Sequence, residues 1–195
     1  MTTNIIKGST LVKVTNMTSD YVGYKLDSGV RRRFAPHASM NLPADELRSL
    51  SYQPGGNVVL MNFLHVGNKN LAREFGVEDD MVEYDWGEED IVAALTTSPL
   101  DTLLDALEFG PEGISQELVK KAVELEIPDM KRREAIREFT GKNVTAMINN
   151  KHAYDAVEEE PKKESKGRRS ATSQKKEEVA AEQPKRRRSS TAKAE

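Results

Sequence analysis

The residues best suited to chemistry in this sequence are cations. Arg31-Arg32-Arg33 form one run, and Lys166-Gly167-Arg168-Arg169 and Lys185-Arg186-Arg187-Arg188 form two more towards the C-terminus. Guanidinium and ammonium groups neutralise phosphates or carboxylates. The candidate contacts to phosphate, nucleic acid or an acidic partner are therefore Arg31, Arg32, Arg33, Arg168, Arg169, Lys185, Arg186, Arg187 and Arg188. The C-terminal clusters contain no aromatic residue, which predicts backbone neutralisation without base stacking. In a strand, alternation places Arg31 and Arg33 on one face and Arg32 on the other. A charged edge strand guarded against aggregation is the competing explanation for that run.

Other reactive residue types are scattered. His37, His65 and His152 lie in separate segments without metal-ligand spacing, and the chain has no cysteine. This excludes a disulfide framework, a thiolate zinc site and a cysteine nucleophile. The acidic run from Glu78 to Asp90 lacks the spaced loop of a calcium site and reads as a solvated or partner-attracting face. No phosphate-binding glycine loop, nucleophile elbow or zinc-protease motif occurs. Gly110-Pro111-Glu112-Gly113 reads as a loop between helices. Asn16-Met17-Thr18 and Asn143-Val144-Thr145 match the glycosylation sequon by chance, Asn143 being better explained as a helix cap. The expectation is a non-enzyme with no cofactor, no metal and no small-molecule substrate. No apolar run is long enough for a membrane span, and no signal peptide is evident.

The net charge of -3 is a cancellation between blocks. Residues 1–73 carry net +5, and residues 74–119 carry 14 acids and no Lys or Arg. Residues 120–157 are net +2 and residues 158–195 net +4. From Glu158 onward the only aliphatic residues are Val179 and alanines. Such a composition cannot offset the entropy of ordering, so 158–195 is expected to be disordered. As a coil, a segment of that length spans roughly 35 Å on average.

The elements that must position these residues follow from periodicity. Thr10–Asn16, Tyr21–Leu26 and Val30–Phe34 alternate as strands, with Asp27-Ser28-Gly29 as a hairpin turn. Ser39–Leu42 reads as a short fourth strand, and Pro43 opens a short helix. Val58–Leu64 is a continuous apolar run, read as a buried strand after the Pro54-Gly55-Gly56 turn. Helical spacing then takes over. A turn or two is expected at 70–75, and Glu88-Glu89-Asp90 opens the next helix. Ser98 is expected to cap a helix with Pro99 at its first position, and Pro111 to start another. Asp129 and Asn143 cap two more, the first ending at Gly141. The fold class expected is α+β: a small antiparallel β module followed by a compact bundle of short helices, then a disordered tail. The segments are 1–66 (β module), 67–97 (acidic linker with short helices), 98–157 (helical bundle) and 158–195 (basic tail).

Several stretches carry a resemblance. They are Val14-Thr15-Asn16-Met17-Thr18-Ser19, the Arg-rich strand before Phe34-Ala35-Pro36, and Leu50-Ser51-Tyr52-Gln53-Pro54-Gly55-Gly56. Ser98-Pro99-Leu100-Asp101, Leu104-Asp105-Ala106-Leu107, Lys131–Ile136 and Thr140–Val144 continue the series. Over about residues 10–150 the chain resembles a loosely defined family of small virion-associated structural proteins of tailed bacteriophages. The resemblance implies a non-catalytic particle component in the capsid, neck or tail, contacting other virion proteins in a multi-copy assembly. The basic tail would then touch neighbouring subunits or packaged DNA. The alternative is a cytoplasmic nucleic-acid-binding accessory protein that uses the same tail. Residues 1–157 carry net -7, which argues against DNA binding by the folded part.

Overall fold

The computed structural model describes residues 6–159, with side chains to Asp155. Of the expected disordered tail, Glu158 and Glu159 are helical, and residues 160–195, with the clusters Arg168, Arg169 and Lys185–Arg188, lie outside the described residues. The fold is α+β, with small antiparallel sheets followed by a helix bundle. Strands β1 (Leu11–Asn16), β4 (Ser39–Pro43) and β5 (Leu64–Val66) make a sheet with β1 in the centre, antiparallel to both neighbours. Strands β2 (Val22–Lys25) and β3 (Arg31–Phe34) form a separate two-stranded ribbon. The β1 alternation sends Val12, Val14 and Asn16 inward, as period two requires.

Pro43 precedes helix α1 (Ala44–Ser51), whose Ala44, Leu47 and Leu50 are buried. The run at Val58–Leu64 is not a strand. Helix α2 (Gly56–Asn62) takes most of it, and only Leu64 continues into β5. Gly55, at φ 79, turns the chain into α2. Val58 is exposed while Leu60 is fully buried, so the run is one amphipathic turn pair. Continuous apolar runs of this length do not distinguish helix from strand.

Helix α3 (Lys69–Glu74) and a 3-10 turn (Val82–Asp85) lead to α4 (Glu88–Thr96). Residues 67–97, read as an acidic linker, place Leu71, Phe75, Tyr84, Ile91 and Leu95 in the core. The Tyr84 hydroxyl accepts from the Val66 N–H (2.8 Å) and donates to the Leu64 carbonyl (2.8 Å). It thereby fastens the acidic stretch to β5.

Four helices follow: α5 (Leu100–Glu108), α6 (Glu112–Glu124), α7 (Met130–Thr140) and α8 (Val144–Glu159). Asp129 caps α7 through the Lys131 N–H, and Gly141 ends it at φ 70. Asn143 accepts from the Ala146 N–H (3.0 Å) as the cap of α8. Ser98 does not cap α5. Pro99 stands before the first helical residue without a side-chain bond, and the Ser98 carbonyl instead accepts from Arg132 (2.5 Å). Gly113 lies inside α6 and not in a loop. Sheet and helices share one core within a single compact unit, Met1–Glu160.

Candidate functional site

Strand pairing decides what each hairpin arginine does. Gly23 faces Arg33, Tyr24 faces Arg32 and Lys25 faces Arg31. Arg32 points inward and forms a forked pair with Glu46 of α1, Nε to Oε1 at 2.8 Å and Nη2 to Oε2 at 2.8 Å. The Tyr24 hydroxyl donates to the same carboxylate at 2.7 Å. The Arg32 hydrogen bond holds the Glu46 carboxyl below its usual range. Burial, reinforced by Glu46, pushes the Tyr24 phenol up. Arg32 is therefore occupied in fastening the hairpin to α1, whereas Arg31 and Arg33 stay exposed.

A cleft of about 270 Å³ brings together residues that the sequence separates, among them His37, His65, Asp85, Glu117 and Lys121. Glu117 of α6 is fully buried. Its carboxylate accepts from the Ser19 N–H and from the Ser19 hydroxyl (2.6 Å to Oε2). His37 Nε2 stands 3.7 Å from it. His65 Nε2 lies 2.9 Å from Asp85 Oδ1, and this contact holds the Asp85 carboxyl low. Lys121 bonds Glu88 at 2.7 Å, which raises the ammonium and lowers the carboxyl. Each group is thus paired, and the Ser19 hydroxyl faces a carboxylate and no imidazole. Among the described residues, no three His, Asp or Glu side chains are placed to hold a metal ion.

The neighbouring Asn16 is fully buried. Its amide donates to the carbonyls of Asp20 (2.7 Å) and Ala35 (2.9 Å), and its oxygen accepts from the Thr18 N–H (2.9 Å). The sequon asparagine is therefore the organiser of the β1–β2 turn.

A groove of about 690 Å³ reaches from Asp20 and Asn62 across α5, α6, α7 and α8. Leu107 and Val119 form its apolar floor, while Phe139 and Met147 remain partly exposed along it. Its rim carries both signs of charge: Asp20, Glu112, Lys120 and Lys142. Lys120 bridges to Asp20 at 2.7 Å. The helical spacing of these apolar residues was visible in the sequence, but the incomplete cover over Phe139 and Met147 is a product of how the helices meet.

Comparison decides nothing further. No known family, curated protein or solved structure matches the chain. What the surfaces do is read from their own chemistry.

Proposed function

We propose that this chain is a non-catalytic structural or assembly protein of a tailed-phage virion, making protein–protein contacts in the capsid, neck or tail. The observation that carries the proposal is the groove between α5, α6, α7 and α8. An apolar floor with aromatic and methionine side chains left uncovered, inside a rim of mixed charge, is the anatomy of a docking surface. Its occupant is a segment of a neighbouring particle protein that supplies an apolar anchor and flanking charges. The resemblance of about residues 10–150 to phage virion proteins supports the particle as the setting, with many copies of the chain contacting other virion proteins.

Lys120 and Lys142 at the rim are natural targets for an amine-reactive crosslinker. In purified virions, mass spectrometry should find the chain, with crosslinks from these lysines to another particle protein. Phe139→Glu should abolish those crosslinks and lower incorporation while leaving the isolated protein folded, because Phe139 is 42% exposed. Absence of the chain from the particle overturns the proposal.

A further inference from the structure

The outer face of the β2–β3 ribbon gathers cations that the rest of the fold does not use. The register places Gly23, Lys25, Arg31 and Arg33 on one side, opposite to Tyr24 and Arg32. Tyr21, just before β2, shares their parity and is 61% exposed. The Arg33 guanidinium carbon lies 4.0 Å from the centroid of that ring. Among the described residues, Lys25, Arg31 and Arg33 have no carboxylate within ion-pair range, in contrast to Arg32. Gly23 leaves the middle of this face without a side chain, under an open concavity of about 530 Å³. Arg31 and Arg33, two strand residues apart, are spaced by about 6.7 Å along the strand, on the scale of successive phosphates.

We infer that this face, Tyr21, Lys25, Arg31 and Arg33 around Gly23, binds single-stranded nucleic acid. Phosphates lie on the two arginines and the lysine, and an unstacked base covers the free side of Tyr21. Charge complementarity selects an anion, and the exposed aromatic selects a flat one. An acidic peptide would satisfy the cations and leave the ring idle, and a duplex keeps its bases stacked away from it. The net charge of -7 over residues 1–157 does not oppose this, because the acids cluster in 74–119 while Lys25, Arg31 and Arg33 stand together on the ribbon. The acidic remainder repels a strand from other surfaces and so directs it to this one. The docking groove is a separate surface, and the variants below leave it intact.

The test is binding of a labelled oligothymidine by the full chain across a salt series, with a duplex of equal length as a second ligand. For single strands the logarithmic salt slope is about -0.7 per phosphate contact. Arg31→Gln with Arg33→Gln should flatten the slope by about 1.4. Tyr21→Ala should keep the slope but weaken single-strand binding by about fivefold or more, with little effect on the duplex. A third variant, with glutamine at Lys185, Arg186, Arg187 and Arg188, leaves these hairpin effects unchanged. Wild-type affinity and slope in both hairpin variants would overturn the inference and assign binding to the tail. It fails equally if a peptide copying residues 78–90 displaces the oligonucleotide at equal concentration.

Discussion

Glu117 is the only buried carboxylate among the described residues, and it spends its oxygens on one serine. The bond spans nearly a hundred residues and ties α6 to the β1–β2 turn. Glu117→Ala would leave the Ser19 N–H and hydroxyl without their partner in a partly buried site, at a cost of about 1–3 kcal/mol. Chemical denaturation should show the unfolding free energy fall by that amount, as a lower midpoint with an unchanged slope. The Arg32–Glu46 fork makes a second residue-scale prediction. Glu46 ordinarily titrates at 4.5 and is held lower in the fold. A depressed carboxyl contributes stability that is present above 4.5 and lost as pH falls through the folded value. Stability of the wild type should therefore decline below about pH 4.5, and Glu46→Gln should remove that part of the decline, as read from urea midpoints at several pH values. At this scale the sequence was half legible. Strand alternation already separated Arg32 from Arg31 and Arg33, but neither Glu46 nor Ser19 advertises its distant partner.

Helix ends were readable because capping is local chemistry: Asp129, Gly141 and Asn143 act within a few residues of themselves. Ser98 failed as a cap because α5 begins one residue later than expected: Pro99 holds the cap position and has no side-chain acceptor, while the Ser98 carbonyl goes to the distant Arg132. The Val58–Leu64 run failed for a different reason. Six apolar residues around a single asparagine suit a buried strand as well as a short helix, and only the tertiary position of Leu60 decides. Gly113 shows the same dependence on neighbours. A Cβ there would come within 2.5 Å of the Asn62 carbonyl oxygen and 3.1 Å of Thr18 Cγ2. This glycine lets α6 approach the end of α2, an approach also marked by the Glu112 N–H on Asn62 Oδ1 at 3.1 Å. Gly113→Ala improves helix propensity but forces that contact apart, so it should destabilise by about 1–3 kcal/mol. A measured gain in stability would mean that α2 and α6 separate freely.

At the level of the whole molecule, composition suggested parts, and packing joins them. Charge blocks change sign at residues 74 and 120, yet the core crosses both borders. Tyr84 bonds β5 from inside the acidic stretch, Glu117 bonds the β1–β2 turn, and Lys121 of α6 reaches Glu88 of α4. Charge pattern reports on the surface, and surface charge is compatible with any division of the interior. Cooperativity is the observable that separates the two descriptions. Trp86, the only tryptophan, lines the cleft shared by β1, α4 and α6, so its fluorescence reports the junction between sheet and helices. Far-UV circular dichroism is dominated by α5, α6, α7 and α8. If Met1–Glu160 is one unit, the two signals must fall at the same denaturant concentration with the same slope. Separate transitions, with fluorescence changing while helicity persists, would show that the β module comes away from a bundle able to stand alone.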